Sequence, residues 1–243
     1  MWDYRTGTGP WAARPAVPEH PLGGRLAPTG SGDTRGMAES RLEHYAKEEE
    51  LLRVRDSLSA ERRELPWVKM DREYVFQAPD GERTLLDLFD GRKQLIVYHF
   101  MLPSMTGGKF CVSCSFWIDN IGHLAHFHAR DTSVVVDCPV PLDDILAHKE
   151  RMGWTLPFVS SAGTDFYSDL HFTSPDGKVM MPGISVFARD GESVYHTYST
   201  LEYGGEMLNG TYHYLDLTPL GRQEEGLAWK HDWVHYHDEY EFS

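Results

Sequence analysis

Two cysteines separated by two residues, Cys111-Val112-Ser113-Cys114, carry the chemistry most readily read from this chain. Two intervening residues put both sulfurs on one turn of a helix, near enough to bond to each other. At a helix N-terminus, unpaired N–H groups and the helix dipole stabilise a thiolate. The expected order of events makes Cys111 the more exposed, attacking thiol. Cys114 is then the more buried thiol that resolves the mixed disulfide. A third cysteine, Cys138, ends the apolar run "TSVVVDC". If that run is a strand parallel to the one preceding the pair, both strands end at one sheet edge, which puts Cys138 near Cys111. There it would resolve a disulfide, protect the pair, ligate a metal or be an inert buried thiol. Pro182, in Met181-Pro182-Gly183, precedes a strand and is expected as a cis proline facing the pair, forming the substrate-side wall.

The elements that must position these residues follow from hydrophobic pattern. "QLIVYHFM" (94–101) is a nearly continuous apolar run, as expected of a central strand buried on both faces. A loop with Pro103, Gly107 and Gly108 follows, then a helix from Cys111 to about Arg130 with Trp117, Ile121, Leu124 and His128 on one face. The run 132–138 is the next strand. Strand, helix, strand implies parallel strands with a right-handed crossover. Pro141 opens another helix that Gly153 ends. Pro79-Asp80-Gly81 marks a hairpin before the central strand, and Pro175-Asp176-Gly177 a turn after it. "ISVFARDGESVYHTYS" (184–199) reads as a hairpin turning at Asp190-Gly191, and residues 208–217 as a last helix. This order is the thioredoxin-like pattern: an α/β fold with a central mixed sheet flanked by helices, spanning 67–243.

Two segments precede that domain. Residues 1–36 hold five of the 14 prolines and show no apolar periodicity, so they are expected as a flexible arm. Residues 37–66 hold a charged N-terminal helix over 38–64, with a thin apolar stripe of Leu42, Tyr45, Leu51, Leu52, Val54 and Leu58. Such a helix would lie outside a domain or against a second subunit, which leaves a homodimer open.

Composition excludes several classes. Over 243 residues, 23 basic against 37 acidic side chains leave a net charge of −14, which would repel a phosphate backbone, so no nucleic-acid partner is expected. No apolar run is long enough to cross a bilayer, so no membrane partner is expected, and no secretory signal is visible. Three cysteines cannot form a disulfide framework, which suits a reducing, cytoplasmic setting. No Gly-x-Ser-x-Gly elbow is present to make a serine nucleophile.

Histidines open a second reading. His123, His126 and His128 follow the pair, and His231, His235 and His237 form a His-x3-His-x-His tail, both read as surface polar sequence. Tyr98 and His99 alternate on the central strand, and whichever faces the helix could relay a proton to Cys114. One CxxC cannot close a structural zinc site, which needs about four ligands. Cys111 and Cys114 joined by His196 could instead hold copper or zinc. The leading reading needs no cofactor and no metal. A non-catalytic dimeric scaffold with vestigial thiols is the third reading.

These residues carry a family likeness. The stretches "AERRELPWVKMDREYVFQAPDGERTLLDLFDGRKQLIVYHFM", "CVSCSFWIDNIGHLAHFHARDTS", "RMGWTLPFVSSAGTDF" and "PGISVFARDGESVYHTYSTLEYGGEMLNGTYHYLDLTPLGRQEEGLAW" resemble the bacterial thioredoxin-like family catalogued as domain of unknown function 899, predicted dithiol-disulfide oxidoreductases. The resemblance covers most of residues 40–240. It implies a thioredoxin-like fold, Cys111 and Cys114 as the redox pair, Pro182 as its neighbour, and a thiol or disulfide substrate, protein or small molecule. Val112 within the pair, the loop "LPSMTGGKF" and the stretch "VDCPVPL" that introduces Cys138 depart from the family pattern. These departures favour a specialised role, such as one on a small-molecule pathway.

Overall fold

The computed structural model describes residues 34–174, 179–201 and 205–241. Most of the expected arm and the turn at Pro175-Asp176-Gly177 lie outside the described residues. Helix α1 (Thr34–Arg63) is the charged helix, starting somewhat earlier than its pattern suggested. It carries local ion pairs such as Arg53–Glu50 at 2.9 Å, and its six apolar stripe residues are exposed. It belongs to one compact unit, and the chain from Val68 onward forms a second.

The second unit is built on a six-stranded sheet. Its strands are β1 (Val68–Lys69), β4 (Gln94–His99), β5 (Thr132–Asp137), β6 (Phe158–Val159), β7 (Gly183–Asp190) and β8 (Ser193–Leu201). The order is β1-β8-β7-β4-β5-β6. A separate hairpin pairs β2 (Val75–Ala78) with β3 (Gly81–Thr84), as the Pro-Asp-Gly turn implied. β4 runs parallel to β5 and antiparallel to β7, so the sheet is mixed. Helices α2 (Val112–Asp119), α3 (Leu124–His128), α4 (Leu142–Arg151), α5 (Phe166–Asp169) and α6 (Gly210–Leu215) complete the unit. A parallel β4–β5 pair, an antiparallel β7–β8 hairpin and a dithiol helix following β4 make the fold thioredoxin-like.

Period-two alternation divides the strands between two cores. Leu95, Val97, Val135 and Phe187 face a core with Phe76, Phe89, Phe166 and Phe172. Ile96, Tyr98, Val134 and Val136 face the other, which contains Ile118, Ile145, Phe158 and all three cysteines. Side chains of β4 are therefore sorted strictly: Tyr98 belongs to the thiol side, and His99 packs on Phe166, Tyr167 and Phe172 of the opposite side.

Two expectations are corrected here. The long helix after the pair is two helices, α2 and α3. Asn120 ends α2: its side-chain amide donates to the Phe116 carbonyl at 2.8 Å, while its carbonyl oxygen accepts from the Thr211 backbone N–H at 2.7 Å. A side chain that takes helix carbonyls and anchors a distant segment competes with further helical turns. Trp117, Ile121, Leu124 and His128 therefore do not share one continuous helix face.

The second correction concerns Pro182. Among the described residues no peptide bond is cis, so Met181–Pro182 is trans. The Met181 N–H donates to the Phe172 carbonyl at 2.8 Å, and Gly183 pairs with both His99 and Leu201. Hydrogen bonds on both sides of Pro182 hold an extended backbone, which the intrinsically favoured trans bond continues.

Gly183 shows how closely β7 is approached. A Cβ there would meet the Phe172 ring and the Thr200 carbonyl oxygen, the latter at 2.5 Å. Backbone cannot yield as a flexible side chain does, so Gly183→Ala should destabilise the fold by about 1–3 kcal/mol. A fall in the thermal unfolding midpoint checks this; an unchanged midpoint would mean the strand end is loosely packed.

Candidate redox site

Cys111 is the N-cap residue of α2, with an extended backbone at φ −67°, ψ 119°. Its sulfur accepts the backbone N–H of Cys114 at 3.3 Å. That contact supplies one of the unpaired amide donors of the first helical turn to sulfur. The Cys111 carbonyl accepts the Ser115 hydroxyl at 3.0 Å, and Ser115 is in turn bonded to His148 Nε2 at 3.1 Å. His148 stacks on the Phe110 ring at 4.5 Å, and the Phe110 carbonyl accepts the Tyr236 hydroxyl. Backbone on both sides of the Cys111 α-carbon is thus tied to side chains from α4 and the C-terminal segment. Burial, with Arg151 nearby, pushes His148 down to about 4, so it is neutral near pH 7.

None of the three cysteines is in a disulfide. Cys111 and Cys114 are each only 1 % exposed, which corrects the expectation that Cys111 is the more accessible sulfur. The physical reason is that α2 packs its first turn into the thiol-side core instead of projecting it beyond the sheet edge. Burial raises the Cys114 thiol well above its ordinary value, and the neighbouring Cys111 sulfur adds to this. The Met101 backbone N–H and the Tyr98 hydroxyl pull the other way. Tyr98, not His99, is therefore the strand residue that serves Cys114.

Cys138 follows directly on β5, and burial, the Asp137 carboxylate and Cys111 all raise its thiol. It joins Cys111 and Cys114 in one apolar cluster. Pro182 lines a small, mostly apolar cleft whose other walls include Tyr98, Cys114, Trp117, Leu201 and His231. The Trp117 indole is fixed by donating to the Gly205 carbonyl at 3.1 Å.

The histidines go elsewhere. His196 sits on the opposite side of the sheet, against Phe187, bonded to Ser199 Oγ at 2.7 Å. A chain of hydrogen bonds continues from Ser199 to Ser185 at 2.8 Å and to His99 Nε2 at 2.9 Å. Among the described residues no group of three His, Cys, Asp or Glu side chains is close enough to hold a metal ion. Cys111, Cys114 and His196 therefore do not form a copper or zinc site, because the sheet separates them. His123 caps α3. His237 is paired with Asp119 at 2.9 Å, and His231 packs on Trp117.

Sequence patterning missed Ser115, His148, Tyr236 and Asp137. The first three meet across 33 to 126 residues, a closure that no local pattern reports. Asp137 was passed over as the polar residue of an apolar strand. It is fully buried, accepts the Ser161 N–H at 2.9 Å through one oxygen, and leaves the other without a hydrogen-bond partner.

The family whose description reads "Bacterial protein of unknown function (DUF899)" matches residues 31–240, and the chain belongs to it. No curated protein matches the chain. Among solved structures, it is similar to the mitochondrial 2-cys peroxiredoxin of Plasmodium falciparum at 13% identity and a TM-score of 0.42, covering 60% of this chain and 93% of that one. It is likewise similar to the peroxidoxin BcpB of Mycobacterium tuberculosis at 14% identity and a TM-score of 0.41, covering 62% and 96%.

Burial pushes the Asp137 carboxyl up to about 7. An unfolded aspartate releases its proton near pH ~3.9, so the folded state binds more protons between the two values. The stability contributed by this group is complete below the unfolded value and is lost as pH rises towards about 7. Across that window, wild-type stability relative to Asp137→Asn should fall by on the order of 1 kcal/mol per pH unit. Denaturant titrations of both proteins from acid to neutral pH measure the difference; a flat difference profile would show that Asp137 is ionised in the fold.

Proposed function

We propose that this member of the DUF899 family is a dithiol–disulfide oxidoreductase that uses Cys111 and Cys114 as its redox pair. The observation that carries the reading is the Cys114 N–H on the Cys111 sulfur at the start of α2, with the second sulfur beside the first. Helix-end donors lower the cost of a thiolate, and a thiolate is the species that attacks a disulfide.

The electron balance is simple. Two thiols give up two electrons and close the Cys111–Cys114 bond, while R–S–S–R′ is cleaved to two thiols. An external thiol or dithiol then reduces the pair through the reverse exchange. Because no sulfur is surface-exposed, the substrate must come to the cleft beside Pro182 and Trp117. Burial of both sulfurs favours a small disulfide over a folded protein partner, which is the basis for a role on a small-molecule pathway. The net charge of −14 disfavours strongly anionic substrates. Thiols kept reduced suit the cytoplasm. Among the described residues no helix is long and apolar enough to cross a membrane.

Turnover of a small model disulfide, with dithiothreitol as donor, tests this. Cys111→Ser and Cys114→Ser should each lower the rate by about a hundredfold or more. Cys138→Ser should stay within a few fold of wild type, since the core places this thiol beside the pair rather than in the cleft. Full activity in both pair variants would remove the dithiol reading.

A further inference from the structure

We propose that the C-terminal segment over residues 229–240 is a strap that covers the buried dithiol, with Arg151 of α4 as its latch, and that it lifts to admit a substrate disulfide. This rests on the oxidoreductase reading above for what enters, and it names what governs entry.

Thiol–disulfide exchange brings sulfur against sulfur. With both sulfurs only 1 % exposed, part of the wall has to move first. Strands β4 and β5 pair with each other along their length, and α2 and α4 are hydrogen-bonded helices. The strap has neither support. Its backbone hydrogen bonds stay within the segment: Asp232 donates to the Trp229 carbonyl, Val234 to that of His231 and Glu239 to that of Tyr236. Among the described residues no backbone hydrogen bond joins it to the rest of the chain. Segments without such pairing lie at the low-stability end of a fold and open first.

Side chains hold the strap, and they converge on the pair. The Tyr236 hydroxyl donates to the Phe110 carbonyl, which belongs to the peptide bond joining Phe110 to Cys111. The Tyr236 ring packs on His148 at 5.3 Å. That imidazole is bonded to Ser115, whose hydroxyl donates to the Cys111 carbonyl. On α2, Trp233 meets Phe116 at 5.6 Å and His231 meets Trp117 at 5.2 Å. The loop 102–110 is the other irregular neighbour of the pair. Its last residue, Phe110, is the one Tyr236 holds, so the loop follows the strap.

Arg151 fastens this cover. Its guanidinium donates to Asp238 at 2.8 Å and to Glu239 at 2.8 Å, and lies 4.6 Å over the Tyr236 ring. One cation thus neutralises two strap carboxylates in a chain of net charge −14, whose remaining field repels them. All three side chains are partly exposed, so the latch is weak and screened by salt, which suits a contact that must break and re-form. His231 also shares the wall of the small cleft with Cys114 and Trp117, so lifting the strap enlarges that cleft.

Thiol labelling tests the strap. Cys114→Ser with Cys138→Ser leaves Cys111 as the one cysteine. Labelling of this native protein by N-ethylmaleimide, read by intact mass, follows the open fraction. Added to this background, Arg151→Met and Tyr236→Phe should each label at least about fivefold faster. Sodium chloride at about 0.5 M should speed the parent but not Arg151→Met. Phe76→Leu, in the core on the opposite sheet face, destabilises the whole fold and should leave labelling within about twofold. Near-ultraviolet circular dichroism verifies that each variant is folded, and Asp238→Asn with Glu239→Gln replaces Arg151→Met if it is not. Unchanged labelling in the folded latch variants would overturn the strap. Equal acceleration by Phe76→Leu would overturn it as well, because exposure would then follow global unfolding. A salt effect that survives Arg151→Met would remove Arg151 as the latch. Labelling does not require catalysis. An inactive wild type would therefore end the oxidoreductase reading alone, and unchanged labelling beside an active wild type would end the strap alone.

Discussion

A sulfur that caps a helix has to be held still, because the helix-end donors stabilise it only over hydrogen-bond distances. In this protein the Cys114 N–H meets the Cys111 sulfur, and much of the surrounding structure exists to fix that contact. Ser115 donates to the Cys111 carbonyl and is itself bonded to His148, and Tyr236 donates to the carbonyl just before it. These side chains are neutral, so they orient the cap without adding a competing charge. His148 in particular is kept neutral by burial.

Burial creates the chemical problem that the rest of the site addresses. An apolar core disfavours a thiolate, and every cysteine here lies in one. Backbone amides and one phenol are the compensating groups, since they donate hydrogen bonds without needing counter-charges that would also have to be desolvated. The same core excludes water from the pair, which protects free thiols from adventitious oxidation and strengthens each donor that points at sulfur. A small cleft lined by Pro182 and Cys114 adjoins this core.

The sheet separates two polar systems that sequence spacing invites one to join. Tyr98 and His99 are adjacent in the chain, yet the pleat sends one to the sulfurs and the other into a Phe-lined core. His99, Ser185, Ser199 and His196 form a hydrogen-bonded row on that far side. The row links polar side chains across β4, β7 and β8 while His99 Nδ1 is left without a hydrogen-bond partner, and the intervening backbone layer keeps its imidazoles away from the thiols.

Several features were legible in the sequence because they depend on short-range physics. Continuous apolar runs fixed β4 and β5, Asp-Gly fixed the β7–β8 turn, and the spacing of Cys111 and Cys114 put both on one helical turn. Parallel strands also bring Cys138 to the thiol-side core. Properties that depend on distant segments were not legible. Asn120 cuts the long helix by bonding to Thr211, 91 residues away, and hydrogen bonds flanking Pro182 keep its peptide bond trans. Which strand residue shares the core with Cys114, and how far both sulfurs are buried, depend on pleat direction and on how deeply the first turn of α2 is packed. Residue types and spacing determined that this chain carries a dithiol at a helix start; only the three-dimensional packing decided that both sulfurs are buried, because accessibility belongs to the assembled core and not to any local stretch of chain.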